Sequence, residues 1–380
     1  MREGERVTPL ELFFDLVFVL ALTQCTTLMA RTPTWEGLLK GLLALGMLWW
    51  SWGGYAWLTS VIDPEEGTVR LAMFAAMAAL LVAALGVPGA FGSEALLFAC
   101  AYGVVRAAHI VLFTIASRDD AALRRSVTGL AISTAIGVGL LVVAAFTHGA
   151  LQLCLWALAL ALDTGGPYLF GADGWKLVPG HFAERHGLIV LIALGESIVA
   201  LGVGAKVVLD TGIVVAAVLG VVVAATLWWV YFDVTAIVAE RRLSQTKEGR
   251  ERNEMARDSY SYLHFLMIAG IALLAVGMKI TLEDVNGSLK LVPAAALLGG
   301  AALYLLAHVA FRLRNMHTLG TRRLVCAIVL MALVPVTVAL GLSSLLTLGV
   351  LAVILTALIA YEALRYADAR ERVRHQAASR

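Results

Sequence analysis

Apolar residues occur along the chain in long runs, and short stretches that carry charges, glycine or proline separate one run from the next. A helix needs about 20 apolar residues to cross the hydrocarbon core of a bilayer, whereas a membrane β-barrel shows strands of about ten alternating residues. The runs have the length of spanning helices. The pattern therefore predicts an all-α polytopic membrane protein with about twelve spans, near residues 8–29, 36–61, 69–88, 94–116, 124–146, 149–167, 182–205, 212–238, 258–280, 291–312, 322–341 and 344–365.

The composition agrees with this pattern. Hydrophobic residues make up 60% of the chain and charged residues 15%, with a mean hydropathy of +0.85, whereas soluble domains carry about 25% charged residues. No long polar segment is left for a large soluble domain, so the chemistry of the protein is expected in or beside the bilayer. The cysteines fall inside apolar runs without a CxxC pair and are predicted to be packed thiols, with no metal or cofactor site. They are Cys25, Cys100, Cys154 and Cys326.

The distribution of basic residues predicts the orientation of the spans. Cytoplasmic loops are enriched in lysine and arginine, and a cytoplasmic N-terminus places nearly all basic clusters on one side, among them residues 241–257, Arg322, Arg323 and the tail 365–380. The outer side receives only Arg31, Lys40, Lys206, Lys279 and Lys290. Because one missed span would exchange the sides of all later loops, the bias favours an even number of spans with both termini in the cytoplasm.

Segments of the first half recur in the same order in the second half. ELFFDLVFVLALTQ at 11–24 corresponds to ERHGLIVLIALGES at 184–197, and LWWSW at 48–52 corresponds to LWWVY at 227–231. LLVAALG and AHIVLF correspond in the same way to LLAVG and AHVAF. The order predicts two parallel six-helix repeats, at residues 1–167 and 181–367, joined by a linker at 168–180 and followed by a basic tail at 368–380. A polar pocket is expected where the repeats meet.

Polar residues inside the spans are candidates for a functional site, because a charged group in a bilayer is costly and rarely kept without a partner or a task. Glu11 and Asp15 lie one helical turn apart on one face of the first span. In the seventh span, HFAERH places His181, Glu184 and Arg185 along one face. Most candidates fall in the cytoplasmic half of the spans, which favours a pocket that opens to the cytoplasm. The predicted set for binding a substrate or relaying a proton or ion is Glu11, Asp15, Arg106, His109, His181, Glu184, Arg185, His186, Glu196, His264 and His308.

These residues also have structural explanations. A carboxylate near a helix N-terminus is favoured by the helix dipole and can pair with Arg185 or Arg106. His109 and His308 occupy corresponding positions of the repeat, so a shared packing role, with a ring nitrogen bonded to a backbone carbonyl, is the alternative to proton handling. A metal site on HFAERH is disfavoured, because metal sites need three or four converging ligands and the sequence supplies no clear third one.

Aromatic residues are paired between the predicted repeats. Phe14, Trp49, Trp50, Trp228 and Trp229 are predicted to line a central cavity with π faces that favour cations. Bulky packing where the repeats meet is the structural alternative. The glycines Gly53, Gly54, Gly195 and Gly202 are predicted to allow close approach of neighbouring helices.

VTPLELFFDLVFVLALTQ, WWSWGGYAWLT and HFAERHGLIVLIALGESIVALG together resemble the bacterial low temperature requirement A family of membrane proteins, over nearly the whole chain. The resemblance implies a multi-pass protein of the bacterial cytoplasmic (inner) membrane, and it carries no settled biochemical activity. If the signature residues of the family mark a site, the resemblance places that site at Glu11, Phe14, Asp15, His181, Glu184, Arg185, His186, Glu196 and Ser197.

Two functions fit these observations. The first is a transporter or channel for a cation, a proton or a small polar substrate, with Asp15 and Glu196 as the residues expected to change protonation. The second is an intramembrane enzyme for a lipid or isoprenoid substrate, in which Asp15 or Glu184 donates a proton and aromatic faces stabilise developing positive charge. The lack of a recognisable catalytic motif, such as paired DDxxD metal boxes, weakens the enzyme alternative.

A regulatory or scaffold role is a third alternative, suggested by the basic loop RRLSQTKEGRERNEMAR at 241–257. This loop is more simply an orientation signal that lies over anionic lipid. No nucleic-acid-binding module accompanies it, so no nucleic-acid partner is predicted. The expected partners are membrane lipids and an unidentified ion, small molecule or lipidic ligand.

Overall fold

The computed structural model describes residues 6–171, 173–204, 210–365 and residue 367. These residues form α-helices joined by short loops, and no strand occurs among them. The first helices are α1 (Pro9–Arg31), α2 (Trp35–Thr59), α3 (Gly67–Gly86), α4 (Ala95–Ala116), α5 (Ala121–Ala144), α6 (Gly149–Leu169) and α7 (Pro179–Gly204). The later ones are α8 (Thr211–Phe232), α9 (Thr235–Gln245), α10 (Arg250–Ala256), α11 (His264–Glu283), α12 (Leu291–Ala294), α13 (Gly300–Met316), α14 (Thr321–Ala339) and α15 (Ser344–Arg365).

The described helices confirm the predicted all-α, multi-pass membrane architecture. Ten helical stretches within the described residues are long and apolar enough to cross a membrane. The helices α2 and α7 are not among these ten, but they contain 25 and 26 residues, and at about 1.5 Å per residue each exceeds the roughly 30 Å thickness of the hydrocarbon core. Each of the twelve predicted spans coincides with one helix or a run of consecutive helices.

Helix interruptions are the main feature that the hydrophobic pattern did not predict. The predicted span 212–238 is divided into α8 and α9, and the carbonyl oxygen of Val230 accepts hydrogen bonds from Thr235 Oγ1 at 3.0 Å and Arg323 Nη1 at 3.3 Å. These side chains satisfy a backbone group near the end of α8, as buried helix ends require. Two π-helical segments, Arg257–Leu263 and Ala295–Gly299, precede α11 and α13, and π-helical turns often occur at functional sites.

The chain divides into two compact units. The first unit contains the described residues up to Leu28, together with Glu36–Arg185 and Thr246–Arg257. The second contains Met29–Trp35, His186–Gln245 and the described residues from Asp258 onward. The two predicted repeats and the cytoplasmic position of the termini stay predictions, and the predicted basic tail at 368–380 lies outside the described residues.

Small residues set the helix spacing within each unit. In the second unit, a Cβ atom added to Gly277 of α11 would lie 2.5 Å from the Cα atom of Leu297, so only glycine permits this approach. In the first unit, a Cβ atom added to Gly54 of α2 would lie 2.9 Å from the His109 ring. The predicted close approach is wrong at the other three glycines, because no described atom lies within 4 Å of the added Cβ. These are Gly53, Gly195 and Gly202.

The cysteines are only partly packed. All four are free thiols, and Cys25 and Cys326 are buried as predicted. Cys100 and Cys154 are exposed on α4 and α6, so the prediction that they are packed thiols is wrong. An exposed thiol on an apolar helix of a membrane protein can face lipid, where its weak polarity costs little.

Candidate functional site

The start of α1 is fixed by the tetrapeptide TPLE at residues 8–11. The Glu11 N–H donates to Thr8 Oγ1 at 3.3 Å, and the Thr8 N–H donates back to Glu11 Oε2 at 3.0 Å. This reciprocal pair is a capping box, which satisfies backbone donors that a helix start leaves without partners. It holds the Glu11 carboxylate in the first turn, and Asp15 follows one turn later on the same side of α1.

Charged side chains from α1 and α7 converge in the first unit. Glu11, Asp15 and Arg185 are fully buried, and His181 is 8% exposed. His181 Nε2 lies 3.0 Å from Glu11 Oε2, and Arg185 Nη2 donates to Asp15 Oδ1 at 2.9 Å. The contact of Arg185 Nη1 with Glu11 Oε1 is longer, at 3.4 Å. We call Glu11, Asp15, His181 and Arg185 the charged cluster.

The helix α2 completes the hydrogen bonding of the charged cluster. Arg185 Nη1 donates to Thr59 Oγ1 at 2.8 Å and to the carbonyl oxygen of Tyr55 at 3.3 Å. Trp52 Nε1 donates to Asp15 Oδ1 at 2.7 Å. Within the described structure, Asp15 Oδ2 has no hydrogen-bond partner. The sequence did not predict the three α2 partners, Trp52, Tyr55 and Thr59. Trp52 could have been a candidate, because a buried indole N–H usually donates to an acceptor.

Aromatic rings lie at the end of the charged cluster that is formed by Asp15 and Arg185. The Phe14 ring centre lies 4.8 Å from that of Tyr55, and the Trp49 and Trp52 ring centres lie 4.9 Å apart. The Arg185 guanidinium lies 5.6 Å from the Trp52 ring centre, within the range of a cation–π contact. These four aromatic residues are buried in the first unit, and the donors that face Asp15 are Trp52 Nε1 and Arg185 Nη2.

The remaining predicted aromatic residues lie elsewhere. Trp50 is buried in the first unit, whereas Trp228 in the second unit is 42% exposed and stacks on Phe232 with ring centres 5.4 Å apart. Trp229 is half-buried. Their role in lining a central cavity stays a prediction.

A cavity of about 230 Å³ adjoins the end of the charged cluster at which Glu11 and His181 lie. Its wall includes the Glu11 and His181 side chains and is completed by Arg6, Thr59, Ser60, Val61, Ile62, Asp63, Pro64 and Val178. It lies in the first unit where α1 and α7 begin and α2 ends, which is the end predicted to face the cytoplasm. This volume is several times the roughly 30 Å³ share of one water molecule, so the cavity can hold water or a small ligand beside Glu11 and His181.

A second buried ion pair lies in the same unit. Arg106 Nη2 of α4 donates to Asp163 Oδ1 of α6 at 2.8 Å, and both side chains are 1% exposed. Thr134 and Tyr102 also donate to the Asp163 carboxylate. His109 Nδ1 lies 3.3 Å from Arg106 Nη1. Arg106 is therefore paired with Asp163 rather than with an α1 or α7 carboxylate, and its buried Nε has no hydrogen-bond partner among the described residues.

Besides His186, three predicted residues of α7 lie outside the charged cluster. Glu184 is exposed and accepts a hydrogen bond from the Val7 N–H at 3.2 Å. Glu196 is 3% exposed, and the hydroxyl of the buried Ser197 donates to the carbonyl oxygen of Leu194 at 2.6 Å. The last two residues belong to the second unit, whereas Glu184 belongs to the first.

The predicted histidines His186, His264 and His308 lie together in the second unit with tyrosine residues. His264 Nδ1 lies 2.9 Å from the carbonyl oxygen of Ser259, and its Nε2 lies 2.9 Å from Tyr231 Oη. The His186 and His264 ring centres are 5.3 Å apart, and those of His308 and Tyr231 are 5.8 Å apart. Ser259 belongs to the π-helical segment before α11, so the helix interruption positions His264.

His308 differs from His264 in its hydrogen bonding. It is 1% exposed, and neither ring nitrogen has a hydrogen-bond partner among the described residues. The predicted bond from a ring nitrogen of His308 to a backbone carbonyl is therefore wrong. The ring instead lies against Tyr304, with ring centres 4.6 Å apart.

No group of three or more His, Cys, Asp or Glu side chains converges as metal ligands within the described parts of the chain. The charged cluster instead combines two carboxylates with a guanidinium and an imidazole, a set suited to binding protons, cations or polar groups. The absence of a metal or cofactor stays a prediction.

Comparisons with known proteins agree with the resemblance in the motifs. A family model described as bacterial low temperature requirement A protein matches residues 6–360. An uncharacterized protein of Rhizobium meliloti (strain 1021) is 29% identical over 310 residues, which cover 78% of this chain and 74% of that protein. No solved structure matches the chain. Because the family match extends over nearly the whole sequence and includes every residue of the charged cluster, the chain belongs to the bacterial low temperature requirement A family.

Proposed function

We propose that the protein is a transporter or channel of the bacterial inner membrane that moves a proton or a monovalent cation through the charged cluster. One observation carries this proposal. Two buried carboxylates, Glu11 and Asp15, share a single permanently charged partner, Arg185. Arginine stays protonated in proteins, so the carboxylates exceed the fixed positive charge by one.

The unbalanced charge gives the cluster affinity for one mobile positive charge. An uncompensated charge costs several kcal/mol away from water. Among the described residues, Arg185 is the permanently charged side chain that forms ion pairs with Glu11 and Asp15. His181 can supply the missing charge only in its protonated form. A bound proton or cation therefore stabilises the cluster, and its release leaves the cluster negative.

The cavity supports exchange of that charge with the solvent. Glu11 and His181 belong to its wall, whereas Asp15 lies one helical turn deeper behind aromatic rings. An ion that enters the cavity meets Glu11 before it meets Asp15. Two acidic groups placed one after the other are expected of a pathway through a membrane protein.

The geometry gives less support to an intramembrane enzyme. An acid that protonates a lipidic substrate must reach it within hydrogen-bond distance. Asp15 is fully buried and does not belong to the cavity wall, and Glu184 is exposed and bonded to the Val7 N–H. The two predicted catalytic acids therefore do not share one pocket.

Flux measurements in proteoliposomes test the proposal. We expect the purified protein to dissipate an imposed gradient of H⁺, Na⁺ or K⁺ faster than protein-free vesicles, as read by a trapped pH or cation dye. Asp15→Asn removes the inner carboxylate and should slow that flux by about tenfold or more, which corresponds to roughly 1.4 kcal/mol.

Glu36→Gln is the matched control, because it neutralises an exposed carboxylate of the same unit that does not line the cavity, and it should leave the flux within about twofold of the wild type. If the protein dissipated neither the H⁺ gradient nor the Na⁺ or K⁺ gradient, the proposal would be rejected. Flux that Asp15→Asn leaves unchanged would remove the charged cluster from the pathway.

A further inference from the structure

We propose that the mobile positive charge of the cluster is a proton, and that the Nδ1 atom of His181 is where it binds. This inference rests on the proposed transport of a proton or cation and names the group that exchanges the charge. It is carried by the hydrogen bonding of His181, by its place in the cavity wall and by the saturation of Glu11.

The partner of His181 determines its neutral form. An ionised carboxylate accepts hydrogen bonds but cannot donate them. Because Glu11 Oε2 lies 3.0 Å from His181 Nε2, the proton of the neutral imidazole must sit on Nε2. The lone pair then lies on Nδ1, which has no hydrogen-bond partner among the described residues. An incoming proton therefore binds at Nδ1.

The surroundings of Glu11 favour a proton over a metal ion as the bound charge. Glu11 Oε2 already faces the Thr8 N–H, the Thr8 hydroxyl and His181, and Glu11 Oε1 faces Arg185. A monovalent or divalent metal ion needs several oxygen ligands at once, and the described residues contain no converging group of three acidic, histidine or cysteine side chains. A proton needs only the lone pair.

The charged groups near His181 come from each element that packs around it. The segment before α1 supplies Arg6, α1 supplies Glu11, the end of α2 is followed by Asp63, and α7 supplies Glu184 and Arg185. Arg6, Glu11 and Asp63 line the same cavity as His181. Within this set the carboxylates outnumber the arginines by three to two.

The binding step conserves atoms and charge. A hydronium ion that comes from the cavity and reaches the buried Nδ1 atom of His181 gives its proton to the Nδ1 lone pair and remains as water. The imidazole becomes an imidazolium that holds both ring protons, and Nε2–H continues to donate to Glu11. The cluster then carries two positive and two negative charges, and Arg185, whose Glu11 contact is already the longer one, pairs chiefly with Asp15.

The ring nitrogens of His181 can be observed directly. We would record ¹⁵N NMR spectra of the full-length protein, labelled at histidine ring nitrogens and reconstituted in lipid, between about pH 5 and 8, where histidine commonly changes charge. The signal of His181 is assigned by its loss in His181→Gln. We expect a neutral form protonated at Nε2 at high pH and an imidazolium at low pH.

A His181 ring that is protonated at Nδ1 in its neutral form, or that does not change across this range, would overturn the proposal. Glu11→Gln provides a second test if His181→Gln fails to fold. An amide can donate as well as accept, so this variant should lose the strict preference for Nε2–H.

Flux measurements separate this inference from the proposed function. In proteoliposomes, the wild-type flux should change with pH on the cavity side, and His181→Gln should abolish that dependence. If His181→Gln kept the wild-type pH dependence, the proton would bind elsewhere while transport through the protein would stand. If the spectra were as expected but no gradient of H⁺, Na⁺ or K⁺ were dissipated, the proton site would stand and the transport function would fall.

Discussion

The guanidinium of Arg106 and the carboxylate of Asp163 lie 2.8 Å apart, and both side chains are 1% exposed. The pair joins α4 to α6, and Thr134 on α5 donates to the same carboxylate. Three helices therefore meet at one carboxylate. In contrast to the charged cluster, this site has one acid for one arginine, so its fixed charges balance.

Removal of one partner of this pair is expected to be costly. Asp163→Asn leaves the Arg106 guanidinium buried without a countercharge, and loss of one member of a buried ion pair destabilises proteins by about 3–5 kcal/mol. We expect a decrease of this size in the free energy of unfolding, measured by denaturant titration in lipid–detergent micelles.

The exposed pair Glu36–Lys40 provides the control for Asp163→Asn. Lys40 Nζ lies 2.7 Å from Glu36 Oε1, but the Glu36 side chain is 58% exposed. Glu36→Gln should therefore change the free energy of unfolding by only about 0.3–0.5 kcal/mol. If both variants lost a similar amount of unfolding free energy, burial would not explain how much the Arg106–Asp163 pair contributes to stability.

The local part of this architecture could be predicted from the sequence. Spacing along a helix placed Glu11 with Asp15 and His181 with Arg185, because residues three or four positions apart share a helix face. The capping box TPLE was not predicted, although its signature, a threonine followed three positions later by glutamate, is equally local. These signals lie within a few residues of each other and do not depend on the rest of the fold.

Contacts between distant segments could not be predicted in the same way. Arg106 could have paired with any buried carboxylate, and its partner Asp163 is 57 positions away. The Arg185 partners Tyr55 and Thr59 are separated from it by more than a hundred residues. Such contacts depend on how helices pack, which one sequence does not specify through spacing. The π-helical segment that positions His264 likewise has no local sequence signature.

The adjacent glycines Gly53 and Gly54 of α2 should respond differently to the same substitution. A Cβ atom at position 54 would lie 2.9 Å from the His109 ring and 3.1 Å from Arg106 Nη1, whereas nothing described lies within 4 Å at position 53. Gly54→Ala should therefore displace His109 and destabilise the protein by about 1–3 kcal/mol.

Gly53→Ala gives the matched control in the same helix. Alanine favours a helix over glycine by up to about 1 kcal/mol, so this variant should be neutral or slightly more stable. Thermal unfolding midpoints of both variants in micelles compare the two positions. Equal shifts would show that the space around Gly54 accommodates a methyl group.

The two buried histidines of the second unit should also differ in their response to leucine. His308 leaves both ring nitrogens without a hydrogen-bond partner in the described structure, so His308→Leu removes unsatisfied polar atoms and should be neutral or stabilising. His264 faces Tyr231 and the Ser259 carbonyl, so His264→Leu should cost about 1–3 kcal/mol. Each variant serves as the control for the other in thermal unfolding.

A loss of stability in His308→Leu as large as that in His264→Leu would contradict this difference. It would indicate that His308 makes polar contacts with solvent inside the second unit.

The cap of α5 should make stability depend on pH in a predictable direction. Asp120 Oδ1 accepts hydrogen bonds from the N–H groups of Leu123 and Ala122, and Lys176 Nζ lies 3.3 Å from Oδ2. The Leu123 N–H and then Lys176 hold the pKa of the Asp120 carboxyl below its ordinary value. The stabilisation is therefore present above about pH 4, the ordinary range of aspartate, and is lost as the pH falls through the lowered pKa.

Removal of the cap tests this direction. At pH 7, Asp120→Ala should lower the free energy of unfolding by about 1 kcal/mol, and the difference from the wild type should shrink as the pH is lowered below about 4, because protonation weakens the same hydrogen bonds in the wild type. Asp119→Ala, a change at the exposed neighbouring residue, should alter the free energy of unfolding by less than about 0.5 kcal/mol. A wild-type advantage over Asp120→Ala that grew on acidification would contradict the assigned role of the ionised carboxylate.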